Sequence, residues 1–183
     1  VLNKEISDLK ALGIDLTGRL FISPGCHIIM PYHKLLDALY EEAKGGAKTG
    51  TTGRGIGPCH ADKVSYNGIR LHDFTQPNDL IERARLQLSI KNKIIIALGG
   101  EPIELGKMIA ELLSEYYRLA SFVAEPRSMI FGMIASGKNV LFEGAHGVLL
   151  DNDWGTYPFV SASGVVAGYI NGGSGIPLRY VDR

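Results

Sequence analysis

The stretch "PYHKLLDALYEEAKGG" (Pro31–Gly46) runs directly into "AKTGTTGRGIGP" (Ala47–Pro58). Pro31 is suited to the first position of a helix, where its missing N–H costs nothing. The segment "YHKLLDALYEEAK" reads as that helix, and Gly45-Gly46 stops it. A glycine-rich loop is expected from Gly45 to Pro58. Its last nine residues hold four glycines, two threonines and one arginine. Glycine permits positive φ and close backbone approach, so such a run can turn several main-chain N–H groups toward one anion. Thr51 and Thr52 add hydroxyls, and Arg54 a planar guanidinium suited to phosphate oxygens. The same composition also fits a mobile surface loop with a turn at Ile56-Gly57-Pro58.

Outward from this loop, the rest of the chain reads as a mixture of helices and short apolar strands. "LNKEISDLKALG" carries Leu2, Ile6, Leu9 and Leu12 at helical spacing with Gly13 as its stop. "NDLIERARLQLSIKNKIIIAL" and "PIELGKMIAELLSEYYRLASFV" are further helices, the second with Ile103, Met108, Leu112 and Tyr116 near one stripe. "RLFIS" and "HIIM" are strand candidates separated by the turn "SPGC", and "NVLFEG" (Asn139–Gly144) is expected to be a buried strand with a sharp end. No repeat or linker divides the chain, so residues 1–183 are expected to form a single domain of the α/β or α+β class.

Composition excludes several classes. The 183 residues hold 19 basic and 19 acidic side chains, which offers no basic field for nucleic acid. Apolar runs such as "IIIAL" fall far short of the roughly 18 residues of a membrane span. The N-terminus does not look like a signal peptide. Two cysteines, Cys26 and Cys59, suit a reducing, cytoplasmic setting rather than a disulfide scaffold. His27, His33, His60 and His72 show no zinc-type spacing with them. Glycine is the excess, 23 residues, roughly twice the usual share, gathered in a few loops.

"GMIASGKN" (Gly132–Asn139) imitates a nucleotide phosphate loop but has Asn where Ser or Thr should bind Mg²⁺. The required strand precedes such a loop, whereas here "NVLFEG" follows it, so the segment reads as a helix-to-strand connection. A more promising constellation is "LFEGAHGVLLDNDWGTYPFVSASG" (Leu141–Gly164). There a strand ends at Glu143 and turns through Gly144-Ala145-His146-Gly147, placing His146 where a ligand can meet it. Strand-end loops of this kind form ligand crevices in α/β proteins. Asp151 and Asp153 could cap a turn or form a hard-cation pair.

In order and spacing, "HIIMPYHKLLD", "GTTGRGIGPCHADK", "GIRLHDF" and "LFEGAHGVLLDNDWGTYPFVSASG" resemble the central portion of the adenylosuccinate synthetase family. The resemblance implies a large central β-sheet surrounded by helices, a fold like that of the phosphate-loop NTPases, apparently truncated at both ends. It implies a cytoplasmic homodimeric ligase of purine biosynthesis that joins inosine monophosphate (IMP) to L-aspartate. GTP is consumed and Mg²⁺ required, through a 6-phosphoryl intermediate. By that resemblance Thr52, Tyr66, His146, Leu150 and Ser161 contact IMP, with Gly147 nearby. Gly50, Thr51, Gly53, Arg54 and Gly55 belong to a mobile phosphate loop. His146 stands where the family has glutamine, Ser161 where it has threonine, and Tyr66 where an arginine reaches the neighbouring subunit's IMP. Cys59-His60 replaces Ala-Tyr. The family's catalytic aspartate and histidine, its phosphate loop and its principal Mg²⁺ ligands are expected upstream of these motifs, and its aspartate- and guanine-binding segments downstream. No catalytic residue is therefore assigned, and the chain alone is not expected to turn over. The alternative is a non-catalytic nucleotide-binding fragment or regulatory module of the same fold.

Overall fold

The computed structural model describes residues 1–182. Seven α-helices carry the structure, named here in chain order: α1 (Leu2–Ala11), α2 (Pro31–Ala43), α3 (Ile56–Val64), α4 (Pro77–Ala97), α5 (Leu105–Leu119), α6 (Pro126–Ala135) and α7 (Tyr169–Ser174). Their starts are written locally. α2, α4 and α6 each open on proline. α5 opens on Glu104, whose carboxylate accepts from the amides of Gly106 and Lys107, both at 2.6 Å. Such a carboxylate satisfies orphan donors of the first turn and opposes the positive end of the helix dipole.

The core lies between α2, α4, α5 and a 3-10 turn at Leu71–Thr75. It is built from Met30, Tyr32, Leu36, Ile69, Phe74, Leu80, Ala84, Leu88, Ile95 and Met108, all buried. α4 feeds it at Leu80, Ala84, Leu88 and Ile95, the repeat that puts side chains on one helical face. Leu112 and Tyr116 of α5 pack on its edge, and Tyr116 meets Phe74 with ring centroids 5.2 Å apart. Asn92 fixes the approach of α5 to α4 by holding both main-chain groups of Ile103 at 2.9 Å. Asn3 docks α1 on α5 through the backbone carbonyl of Glu115, at 3.0 Å.

A buried polar cluster ties α2, α3 and α4 together. His33 Nδ1 accepts from the Met30 amide (2.9 Å), which closes the first turn of α2. The ring proton therefore sits on Nε2, which donates to Asp62 Oδ2 of α3 at 2.9 Å. Lys91 of α4 donates to the other oxygen, Oδ1. Burial pushes the Asp62 carboxyl up, but the hydrogen bonds from His33 and Lys91 outweigh it and hold the group below its ordinary value.

The strands expected from sequence are largely missing. "RLFIS" forms a single parallel bridge, Ile22 with Val123, and "HIIM" a single antiparallel one, His27 with Arg70. "NVLFEG" pairs with nothing among the described residues, and Leu141 is 89% exposed rather than buried. A strand is completed only by a neighbour that takes its N–H and C=O groups, and among the described residues none pairs with this segment. The glycine-rich loop also ends earlier than expected, because Ile56-Gly57-Pro58 is the first turn of α3. α7 was not foreseen either. Its "YINGGS" is too glycine-rich to read as helix.

Removing the shared acceptor should be costly. Asp62→Ala strands a buried imidazole N–H and a half-buried ammonium, and a loss of about 3–5 kcal/mol is expected. Urea unfolding of the variant against the parent, at neutral pH, measures it.

Candidate functional site

The face of α2 that meets the loop carries three polar side chains one turn apart: His33, Asp37 and Glu41. His33 reaches α3 as described. Asp37 Oδ2 accepts from the Gly55 amide at 2.9 Å. Glu41 accepts from the Gly50 amide (2.8 Å), Thr49 Oγ1 (2.7 Å) and Lys44 Nζ (2.5 Å). These bonds hold the Glu41 carboxyl down at about 2, the Lys44 contact contributing most. The loop is thus fastened at both ends. Gly55 is packed so closely on α2 that a Cβ there would lie 2.8 Å from the Lys34 nitrogen, and its φ is +78°. No other residue satisfies both conditions.

Between the fastenings, Thr51, Thr52, Gly53 and Arg54 are exposed. Among the described residues their amides have no acceptor. Gly50 and Gly53 also take positive φ.

The second half of the site is organised by Asp151, which is fully buried. Its Oδ1 accepts from the amides of Asp153 (3.0 Å) and Trp154 (3.1 Å), and its Oδ2 from Val165 (2.8 Å) and Val166 (3.3 Å). One carboxylate so closes a loop that has little regular structure. These bonds, the Val165 one foremost, hold its carboxyl below the usual range. Gly155 lets the chain pass beneath, since a Cβ there would fall 2.4 Å from the Leu149 carbonyl oxygen. Ser161 is fixed by its amide on the Leu150 carbonyl (2.8 Å), and its hydroxyl meets that of Ser163 at 2.9 Å. His146 sits at φ +70°, a left-handed conformation uncommon outside glycine.

These two loops face each other across a cavity of about 350 Å³. Gly50, Thr51 and Thr52 line one side. His146, Leu150, Phe159 and Ser161 line the other, and Ile56 and Gly57 bring the N-terminal turn of α3 to the floor. Of the ten residues singled out from sequence, Gly50, Thr51, Thr52, His146, Leu150 and Ser161 line this space. Gly53 and Arg54 stand on the exposed tip, and Gly55 is buried against α2. Tyr66 is remote, 92% exposed, at the edge of a separate cavity with Lys63 and Arg70. Asp37, Phe159 and the first turn of α3 also line the cavity and were missed. The spacing of His33, Asp37 and Glu41 along α2 was the available signal for Asp37.

No group of three or more His, Cys, Asp or Glu side chains is gathered for a metal among the described residues. Asp151 spends both oxygens on amides and is the turn cap, not half of a cation pair. The residues present therefore do not fit a Mg²⁺ site. No described helix is long and apolar enough to cross a membrane.

The sequence profile of adenylosuccinate synthetase matches residues 1–183. The adenylosuccinate synthetase of Acetivibrio thermocellus is 46% identical over all of this chain and 43% of its own length. That of Chlorobium chlorochromatii is 44% identical over 98% of this chain and 42% of its own. In three dimensions, a fully ligated adenylosuccinate synthetase from Plasmodium falciparum superposes with a TM-score of 0.84 at 27% identity, over 98% of this chain and 42% of that one. The chain thus spans 42–43% of the length of these relatives.

Trp154 is the only tryptophan, and Asp151 holds its amide, so it reports on the second loop. A carboxylate with a lowered folded value stabilises above its ordinary value and loses that contribution as pH falls through the lower one. The fluorescence anisotropy of Trp154 should hold steady at neutral pH and fall only below about pH 4. Asp151→Ala should show the low anisotropy already at pH 7.

Proposed function

The chain belongs to the adenylosuccinate synthetase family, and from that premise we propose that it supplies the IMP-gripping part of a ligase. The ligase joins IMP to L-aspartate with consumption of GTP, in purine nucleotide biosynthesis. The observation that carries this reading is the single cavity shared by Thr51-Thr52 and the His146–Ser161 loop, segments almost a hundred residues apart. Its volume lies in the range of small-molecule sites.

In this reading the 5′-phosphate meets the free amides around Thr51 and Thr52, the Thr52 hydroxyl and the first turn of α3. Backbone donors and a helix N-terminus are suited to a phosphate without any formal cation. The Ser161 hydroxyl offers a further donor from the opposite wall. Leu150 and Phe159 supply the apolar surface a purine needs. His146 faces the base edge at which the reaction occurs. There an imidazole has one donor when neutral and two when protonated, and can steady a developing negative oxygen. Arg54, on the exposed tip between Gly53 and Gly55, is placed to close over bound ligand.

GTP is the co-substrate of the whole enzyme in this reading, and Mg²⁺ its metal, held by groups outside this chain. Residues 1–183 act as one unit of a larger α/β protein, in which "RLFIS", "HIIM" and "NVLFEG" join a central sheet. The enzyme is a cytoplasmic homodimer. The exposure of Tyr66, away from the cavity between the two loops, suits a residue offered to a neighbouring subunit.

Calorimetric titration of the 183-residue chain tests the reading. IMP should bind and GTP should not, and adenylosuccinate should not form when IMP, GTP and aspartate are supplied together. Thr52→Ala should weaken IMP by about tenfold, the worth of one good hydrogen bond to a charged group. His146→Gln should bind IMP as well as the parent or better. A chain that takes up no IMP overturns the reading. Turnover by the chain alone overturns its assignment as the binding part.

A further inference from the structure

Asp37 poses a physical puzzle. Among the described residues that line the cavity it is the only one with a formal charge at neutral pH when His146 is neutral, and that charge is negative. A carboxylate in the wall of a phosphate site repels its ligand. Its presence therefore calls for a benefit that outweighs the repulsion.

The geometry supplies one. Asp37 is buried on α2, and its Oδ2 holds the Gly55 amide at 2.9 Å. Gly55 is the residue from which α3 departs. One turn further along α2, Glu41 holds the other end of the same loop through the Gly50 amide at 2.8 Å, and through Thr49. The two acids are therefore fastened to main-chain nitrogens on either side of the unpartnered amides of Thr51–Arg54. A short segment rich in positive φ would otherwise sample many conformations, and each would aim those amides differently.

We propose that Asp37 and Glu41 are positioning residues for phosphate recognition. They hold the two ends of the glycine loop by its backbone, so that the Thr51 and Thr52 amides stand ready in the cavity before ligand arrives. Preorganised donors bind without the ordering cost that a free loop must meet. This inference rests on the reading of the cavity as an IMP site.

Charge and hydrogen bonding make opposite predictions at position 37, which gives the test its sign. Asp37→Ala and Asp37→Asn both remove the negative charge, but only asparagine keeps an oxygen for the Gly55 amide. If charge governs, both variants bind IMP more tightly than the parent. If positioning governs, Asp37→Ala binds about tenfold more weakly and Asp37→Asn stays within a few-fold of the parent. Glu41→Ala, at the more exposed end, should fold without difficulty and also weaken IMP several-fold.

Inosine, which lacks the phosphate, serves as the control probe, with both ligands titrated into the 183-residue chain and followed by NMR. Affinity for IMP should fall in Asp37→Ala and Glu41→Ala while inosine binding stays unchanged. Equal losses for IMP and inosine would mean a general structural defect and overturn the proposal, as would tighter IMP binding by Asp37→Ala. If Asp37→Ala fails to fold, the Asp37→Asn and Glu41→Ala measurements decide. A parent chain that binds no IMP brings down both the site and this inference. A parent that binds it, with variants that bind it equally well, brings down only the inference.

Discussion

One polar stripe on α2 organises the helical wall of the site. His33, Asp37 and Glu41 follow one another at single-turn intervals and each reaches a different neighbour. His33 joins Asp62, and through it Lys91, so α3 and α4 are locked to α2 from within. Asp37 takes the amide from which α3 departs, and Glu41 takes the start of the loop. Buried polar groups are costly unless satisfied. Within this cluster the His33–Asp62–Lys91 contacts are mutually satisfying, which makes the geometry unforgiving and therefore specific. The apolar core beneath could tolerate small shifts of α3, whereas a shared carboxylate with two partners could not.

The opposite wall reaches the same end by other means. It has almost no regular structure, and many of its large apolar side chains, Leu149, Trp154 and Tyr157 among them, are exposed. Its shape is maintained by Asp151, a carboxylate enclosed by main-chain amides, and by the absence of a side chain at Gly155. Both walls therefore rely on acidic side chains gripping backbone nitrogens. The acids shape the backbone, and the backbone amides they leave free are the groups that can face an anion. In the proposed reading, such a division lets a chain with no net charge build a phosphate site, the attraction coming from local dipoles instead of a bulk field.

Much of this was readable before any coordinates. Pro31 at the start of α2 and the apolar spacing along α1 and α5 marked helices, since these signals act within one or two turns of chain. The threonine loop and the His146 bend were singled out by glycine content and by resemblance to the family. Other features were not readable, α7 among them. The start of α3 at Ile56 was hidden by a glycine-proline pair that also suits a turn. The expected strands could not be judged from their own residues, because pairing is supplied by another segment. Gly55 read as part of a mobile loop, while it packs closely on α2 with its amide held by Asp37.

The sequence by itself marked the openings and apolar faces of several helices, and it drew attention to the threonine loop and the His146 bend. Those are properties of neighbouring residues, whose energies are local. Only the tertiary structure decided that Thr52 and Ser161 share a cavity and that Tyr66 does not. It alone made Asp151 a brace for the backbone and not a metal ligand, and made Asp37 part of the wall. These outcomes depend on which distant amides and carboxylates meet, and no local pattern carries that information, because such contacts are fixed by the packing of the whole chain.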